Sequence, residues 1–480
     1  MYPGNRRPRF VTLLAAAAMG VYLLIVLGAT QAIADAARAC RAWPLCARPP
    51  SLSSPALAVA WGHRLVAALV GVLVVWAVVA GFRRSDASKR VRAALGVAAV
   101  LYPIQVAFGA LLSLEGATGA LPTAHLLAGM AIFGALTVAL AWHLELTTGG
   151  SSAGDARSDA PPPPVGEKPT AAADATTAEK PTVAAATAVG PLDRVRRVVG
   201  AYVQLMKPRL MWLLCLVASA GMALAAGPDL SVRTVVLTLS GGVLSIGASG
   251  TFNHVFEREK DKRMARTNDR PVATHEVPAR NAAVFGIALA AISVGVFLLI
   301  NPLAAALGLS AILFYSVIYT LVLKPNTVQN TVIGGAAGAL PALIGWAAVT
   351  GTIGLPGLAL AGVIFVWTPA HFYNLALAYK DDYAAGGFPM MPVVRGETTT
   401  RKHIVLWLAL TLLSATALAW VTDLGWLYAA TTTALGAVFL WTVIRLHREQ
   451  TESAAFRAFH ASNAYLGALL LAVVVDALVL

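Results

Sequence analysis

Long apolar runs recur along the whole chain, and they restrict its fold more than any other feature. Each approaches or exceeds the 20 or so residues that an α-helix needs to cross a hydrocarbon core. The runs lie near residues 10–30, 57–81, 93–113, 121–144, 209–227, 233–252, 282–300, 303–322, 327–349, 357–378, 403–421, 426–444 and 460–480. We therefore predict an all-α polytopic membrane protein.

The composition excludes two other classes of protein. With 58% hydrophobic and 12% charged residues, the chain is not a soluble globule. Its net charge of +13 suggests nucleic acid as a partner, but the cations concentrate in short loops between the apolar runs. Membrane topology explains that placement, so we expect no nucleic-acid binding and a lipid bilayer as the partner.

A polar segment divides the chain. From 147 to 199 the composition changes to Gly, Ser, Ala, Thr, Asp, Glu and Pro, including four consecutive prolines at 161–164. Such a segment buries too little apolar surface to fold. We predict a four-helix membrane domain over 1–146, a disordered cytoplasmic linker over 147–199 and a nine-helix membrane domain over 200–480.

The basic loops predict the orientation. Arg6, Arg7 and Arg9 precede the first apolar run, as in a retained anchor with a cytoplasmic N-terminus. Counting spans from there places the polar loops 253–280 and 379–402 together on the cytoplasmic face. The loop holding Cys40 and Cys46 then lies outside, where the two cysteines form either a disulfide or two free thiols.

The densest charge lies in the first of these loops. Asn253, Glu257 and Asp261 recur at i, i+4 and i+8, so on a helix they form one oxygen-rich ridge. Six cations flank it: Arg258, Lys260, Lys262, Arg263, Arg266 and Arg270. Carboxylates among cations suit Mg²⁺ held against a diphosphate. The alternative is an ordinary charged loop between membrane spans.

A second acidic site follows the span at 357–378. Asp381 and Asp382 are expected on the same face as the ridge, where they would supply the other side of a cage for Mg²⁺ and diphosphate. The alternative is a pair of solvated acids just beyond a span.

Two histidines occupy corresponding places in the first domain. His63 opens the second span and His125 opens the fourth, both near the outer face. Imidazoles on two helices of a bundle commonly clamp a haem iron. The alternative is a pair of interfacial histidines that reach toward water.

The first domain resembles one four-helix half of the haem A synthase family. The resemblance rests on residues 28–30, Cys40-Arg-Ala-Trp-Pro-Leu-Cys46, His63-Arg-Leu-Val-Ala and Thr123-Ala-His125-Leu. It departs from the family because only one half is present and Ala60 stands where members carry a glutamate. The resemblance therefore implies a unit that holds or passes haem rather than one that oxidises it.

The second domain resembles the protoheme IX farnesyltransferase (haem O synthase) family, a branch of the UbiA-type prenyltransferases. The motifs run in order along it: Asn253-x₃-Glu257-x₃-Asp261, Met264-x-Arg266-Thr267-x₂-Arg270-Pro271, Tyr319-x₄-Lys324, Gly334-x₆-Pro341-x₃-Gly345-Trp346, His371-Phe372, Asp381-Asp382-Tyr383 and Phe459-x₃-Asn463. The main departure is Glu257, where the wider family more often has aspartate.

This second resemblance implies an enzyme that transfers farnesyl from farnesyl diphosphate to a vinyl group of haem B, giving haem O. It implies Mg²⁺ on Asn253, Glu257, Asp261, Asp381 and Asp382, and phosphate contacts from Lys324, Arg266 and Arg270. Tyr319 and His371 are implied to contact substrate, with His254 a further candidate for haem. It also implies a place in the cell membrane and haem A synthase as a partner. Two rival functions stay open: prenylation of a quinone precursor or lipid, and haem binding without catalysis.

Overall fold

The computed structural model describes residues 7–29, 36, 39–50, 53–117, 119–149, 190–422 and 424–479. Within these ranges the chain forms helices and no strand. Thirteen of the helices are long and apolar enough to cross a membrane. Each coincides with one of the predicted apolar runs, so the prediction of an all-α polytopic membrane protein is confirmed.

The helices are named here in chain order. They are α1 Arg7–Gly28, α2 Pro55–Arg83, α3 Lys89–Glu115, α4 Leu121–Thr148, α5 Pro191–Leu205, α6 Pro208–Ala226, α7 Val232–Asp261, α8 Ala279–Leu298, α9 Pro302–Leu313, α10 Asn330–Thr350, α11 Leu355–Ala378, α12 Lys380–Ala385, α13 Met391–Arg395, α14 Glu397–Trp420, α15 Trp426–Glu449 and α16 Glu452–Val479. A π-helical stretch, Phe314–Leu323, and one further turn, Lys324–Asn326, continue α9.

Helices α7, α14 and α16 continue furthest past the ends of the predicted spans. α7 runs on to Asp261, α14 begins at Glu397, and α16 begins at Glu452. The apolar runs stop at the first charged residues, but a helical backbone continues through charged side chains that reach water or a partner. Part of each predicted polar loop is therefore helical, including the whole Asn253–Asp261 ridge.

The predicted linker ends earlier than expected. Most of it lies outside the described residues, but Pro191–Leu205 forms helix α5 rather than the end of a disordered segment. Apolar residues recur at helical spacing within α5, and averaging the composition over 147–199 hid that pattern.

One apolar core joins the two predicted domains. It includes Val21 and Phe133 from the first four helices together with Leu412 and Val443 from α14 and α15. Polar contacts follow the same interface: the Tyr22 and Thr432 hydroxyls are 2.9 Å apart, and Lys402 pairs with Glu145 at 2.5 Å. The division into a four-helix and a nine-helix bundle therefore stays a prediction.

Helices α6 and α10 cross at very short range. A Cβ atom on Gly345 would lie 2.1 Å from the Ala218 carbonyl oxygen, and one on Gly221 would lie 2.4 Å from the Ala342 oxygen. Only glycine permits such close backbones. This crossing supports the walls of the cavity described below.

The two predicted polar loops meet at one end of the bundle, which we call the polar face. Asp382, which follows α11, accepts hydrogen bonds from two backbone N–H groups that follow α7. The expectation that loops 253–280 and 379–402 share one side is thus met. At the opposite end of the first four helices, Cys40 and Cys46 form a disulfide with a Cα–Cα distance of 5.3 Å.

Candidate active site

The Asn253–Glu257–Asp261 ridge lies on one side of the last turns of α7, at the polar face. Its three side chains are buried, with exposures of 2%, 3% and 1%. Buried carboxylates at a helix end require compensating charge. The residues that supply this compensating charge form the rest of the site.

Each ridge residue contacts a different cation. Lys324 Nζ donates to both carboxylate oxygens of Glu257, at 2.7 and 2.8 Å. Arg270 Nη1 donates to both oxygens of Asp261, each at 2.9 Å. Lys207 Nζ donates to Asn253 Oδ1. The three cations come from three separate segments, which meet only in the folded chain.

The π-helical stretch after α9 positions one side of the site. π-helical turns hold more residues than α-helical turns, so the stretch changes the direction in which the following side chains point. Thr320 Oγ1 accepts a hydrogen bond from Asn253 Nδ2 at 3.2 Å, and Lys324 follows directly after the stretch. The stretch thus directs two side chains onto the ridge.

Lys207 is a site residue that sequence reasoning missed. It joins α5 to α6 with a left-handed backbone (φ 57°) and turns its side chain toward Asn253. Burial lowers the pKa of Lys207 to about 7; the Arg270 charge lowers it further, while the Glu257 carboxylate opposes the change. The sequence shows Lys207 only as one of the basic residues that precede a span, because its partner Asn253 lies 46 residues away along the chain.

Asp382, in α12, contacts the loop that follows α7. Its two carboxylate oxygens accept from the N–H groups of Ala265 and Arg266, each at 3.1 Å. The Arg266 guanidinium lies over the ring of Tyr379, at 4.8 Å, and over that of Tyr383. Asp382 therefore ties α12 to the segment that carries Arg266 and Arg270.

Asp381 is exposed and makes no hydrogen bond among the described residues. It lines a polar pocket together with Arg266, Tyr379, Glu397 and Arg401. Its predicted role as a metal ligand, like that of Asp382, stays a prediction.

His371 is held between two aromatic rings. Trp367 stacks on its imidazole at 4.2 Å and Phe459 at 4.4 Å, and its Nδ1 lies 2.6 Å from Ser462 Oγ. These contacts give His371 a fixed orientation. His254 is also buried, and its Nδ1 has no hydrogen-bond partner among the described residues.

Tyr319 lies in the π-helical stretch. Its ring packs where a Cβ atom on Gly334 would stand, and it tilts against Tyr315 at 5.5 Å. The Tyr319 ring fits at this place because residue 334 is a glycine and has no side chain.

The donor set of the ridge fits Mg²⁺. It offers an amide oxygen and two carboxylates, the hard oxygen ligands that Mg²⁺ prefers, and each of these oxygens accepts one hydrogen bond from a cation, which leaves it a second lone pair for the metal. No three His, Cys, Asp or Glu side chains of the described residues are grouped closely enough to hold a metal by themselves. Mg²⁺ here would thus take its remaining ligands from water and phosphate.

The site can carry a surplus of positive charge. Lys324 and Arg270 balance the carboxylates of Glu257 and Asp261, and Lys207 adds a further positive charge whenever it is protonated. An anionic ligand would favour that protonated state, and phosphate oxygens match these N–H donors.

An apolar cavity lies beside the ridge, and Lys207, which contacts Asn253, also lines it. Lys207 and Tyr315 line its polar end, and Leu214, Ala218, Leu239 and Ile344 line the remainder. A cationic group and an apolar cavity thus lie side by side, an arrangement that suits an amphiphilic anion.

His63, near the start of α2, and His125, near the start of α4, lie at the end of the first four helices opposite the polar face. The Nδ1 atom of each imidazole is buried without a hydrogen bond among the described residues. Gln105 contacts His125 Nε2 at 3.3 Å, and Arg64 contacts Cys46 Sγ at 3.4 Å. Their predicted role as haem ligands stays a prediction.

Comparisons with known proteins match this chain to one family. A profile of the UbiA prenyltransferase family matches residues 213–467. Protoheme IX farnesyltransferase of Haloarcula marismortui is 62% identical over 471 residues, covering 98% of this chain and 99% of its own. Protoheme IX farnesyltransferase 1 of Saccharopolyspora erythraea is 43% identical over 307 residues, covering 62% of this chain and 96% of its own.

The fold has a counterpart among solved structures. A structure from work on digeranylgeranylglyceryl phosphate synthase in membranes superimposes with a TM-score of 0.50 and 15% identity, covering 59% of this chain and 99% of that one. At that identity the likeness concerns the fold alone. The sequence matches go further: the chain belongs to the UbiA prenyltransferase family and, within it, to the protoheme IX farnesyltransferases.

Proposed function

We propose that this chain transfers the farnesyl group of farnesyl diphosphate to a vinyl group of protoheme IX and so produces haem O. One observation carries the proposal: a buried ridge of oxygen ligands, paired one by one with cations, lies beside an apolar cavity, and Lys207 both contacts the ridge and lines the cavity. The diphosphate belongs at the ridge and the prenyl chain in the cavity. The family membership supplies the acceptor, haem.

Asn253, Glu257 and Asp261 would hold Mg²⁺, with Asp381 and Asp382 as further candidates. Bound Mg²⁺ would supply positive charge to the departing diphosphate. Lys324 donates two hydrogen bonds to Glu257 and has three N–H donors. Arg270 contacts Asp261 through Nη1 alone. Both cations therefore retain donors for phosphate oxygens while they hold the ridge.

The chemistry follows from this arrangement. The bond between farnesyl C1 and diphosphate oxygen breaks, and its electron pair leaves with the diphosphate, stabilised by Lys324, Arg266 and Arg270. The vinyl π electrons of haem then form the new carbon–carbon bond to C1. Water captures the resulting cation and loses a proton, which gives the hydroxyethylfarnesyl group. The apolar cavity keeps water from the allylic cation before the vinyl group reaches it.

His371, His254 and Tyr319 are proposed to contact the substrates. The fixed, sandwiched imidazole of His371 supports a role in orienting haem through its iron or its propionates. We further propose that the protein resides in the cell membrane with the polar face toward the cytoplasm. Haem A synthase, which would consume the product, is the proposed partner.

Asp261 provides the direct test. Replacing Asp261 with Ala removes a ridge ligand and the partner of Arg270, so haem O formation should fall about a hundred-fold or more. Membranes expressing the variant would be extracted and their haems separated by chromatography. Glu259→Ala is the matched control, because Glu259 is exposed on the same helix and pairs only with exposed neighbours.

Undiminished haem O in the Asp261 variant would overturn the role of the ridge. The same separation of haems distinguishes the proposed function from its rival, since a transferase for a quinone precursor or lipid would yield no haem O. Haem binding without catalysis would likewise leave haem B unmodified.

We also propose that the first four helices hold haem between His63 and His125. The paired, buried Nδ1 atoms favour this second role. The purified protein should show a low-spin haem spectrum that His63→Ala and His125→Ala each remove. His403→Ala, a half-buried histidine on α14, is the control. An unchanged low-spin spectrum in the double variant would place the haem elsewhere.

A further inference from the structure

Helix α5 presents an apolar face that the other described residues leave largely exposed. Leu192, Val195, Val198, Val199 and Val203 are 85%, 60%, 50%, 54% and 47% exposed. At 100° per residue they share a stripe about 140° wide. Such a face is costly in water, so it requires a partner.

Charged residues border this stripe on both sides. On the same helical projection, Arg196 lies just beyond Val203 and Arg194 just beyond Val198. Arg197 and Asp193 lie on the opposite side of the helix. An apolar stripe edged by arginines is the pattern of a helix that lies in the plane of a membrane surface.

The stripe also continues a surface that faces lipid. Tyr202, the next apolar residue of this face, packs edge-on against Phe285 of α8 at 4.9 Å. Val284 and Ile287, beside Phe285 on that membrane span, are each 61% exposed. The stripe is thus an extension of the outer surface of the bundle at its polar face.

We propose that α5 lies in the headgroup layer of the bilayer, with its apolar stripe among the acyl chains and with Arg194 and Arg196 on anionic lipid headgroups. The occupant is a lipid surface, because the stripe is flanked by cations and joins the lipid-facing surface of α8.

The seating of α5 reaches the ridge through its C-terminal end. Ala201 and Leu205 are buried against Val272 and Val277, in the segment that follows Arg270. Lys207 comes two residues after Leu205 and contacts Asn253. On the proposed function, lipid contact at α5 therefore also holds Lys207 and Arg270 in place for diphosphate.

The immersion of α5 is tested on the full-length protein in nanodiscs, without any need for activity. In a Cys215→Ala background, nitroxide labels are placed at Val199→Cys in the stripe and at Arg197→Cys on the opposite side. In discs of phosphatidylcholine with phosphatidylglycerol, the label at 199 should collide several-fold more with oxygen than with a soluble nickel chelate. The label at 197 should show the reverse.

Two outcomes overturn the proposal. Equal access of the nickel chelate to both labels would mean that α5 stands in water. Shielding of the label at 199 from both reagents would mean that protein covers the stripe, whether a segment of this chain or another polypeptide.

The anionic partner is tested by charge removal. In the wild type, the label at 199 should be more deeply immersed in discs that contain phosphatidylglycerol than in discs that lack it. The double variant Arg194→Gln, Arg196→Gln should lose this difference, and Arg197→Gln should keep it. Immersion that does not respond to phosphatidylglycerol in the wild type would overturn the anionic part. The double variant should also raise the KM for farnesyl diphosphate several-fold. Wild-type protein that makes no haem O would refute the proposed function and leave the immersion result standing.

Discussion

Asp382 is the residue whose contacts differ most from the role that its residue type suggests. Its spacing beside Asp381 predicts a metal ligand, whereas both of its oxygens are used by the N–H groups of Ala265 and Arg266. A carboxylate that accepts two backbone hydrogen bonds holds a loop firmly. Asp382 therefore positions Arg266 and Arg270, whatever it contributes to metal binding.

Asp382→Asn should raise the KM for farnesyl diphosphate about ten-fold. The amide of asparagine has one acceptor oxygen where two are needed, and its NH₂ group would face the N–H of either Ala265 or Arg266. Loop release should also speed tryptic cleavage between 262 and 270. Asp381→Asn is the matched control for cleavage. A rise in the Mg²⁺ concentration for half-maximal activity, without faster cleavage, would instead make Asp382 a metal ligand.

At the scale of elements, the α6–α10 crossing depends on two glycines that leave no room for a side chain. Gly345→Ala should destabilise the protein by about 2 kcal/mol, since the new methyl group would meet the Ala218 carbonyl and force the helices apart. The unfolding midpoint in detergent measures this change.

Gly362→Ala supplies the comparison for that variant. Gly362 lies within α11, and a Cβ atom there meets nothing within 4 Å. This substitution should be neutral or slightly stabilising, because alanine favours the helix over glycine. Equal midpoints for both variants would show that the crossing tolerates a side chain.

For the whole molecule, the first four helices and the prenyltransferase helices share an apolar core, but every ridge contact lies after residue 190. The proposed division of labour therefore predicts that residues 190–480 alone still convert haem B to haem O, whereas residues 1–150 alone do not.

The fragment should be less stable than the full chain, since removing the first four helices uncovers Thr432 and the facing sides of α14 and α15. A protease site inserted between 150 and 190 tests this in the intact protein: cutting should preserve haem O synthesis and leave both pieces associated. A fragment 190–480 that folds in the membrane and makes no haem O would show that the first four helices complete the active site.

The sequence by itself determined what depends on local periodicity. Apolar runs of spanning length predicted thirteen helices, and the i, i+4, i+8 spacing predicted the ridge, because side-chain direction along one helix follows from its 3.6-residue turn. Charge in alternate loops predicted that two polar loops share a face.

Only the tertiary structure decided which groups meet. Lys207, Arg270 and Lys324 come from three segments, and each pairs with a different ridge residue. Such pairings depend on how distant helices pack and on the π-helical turns before Lys324, which no local pattern records. The same holds for Asp382, whose backbone partners lie more than a hundred residues away, and for the core that joins α1 and α4 to α14 and α15. Buried charge requires a partner, but only the packed bundle determines which one.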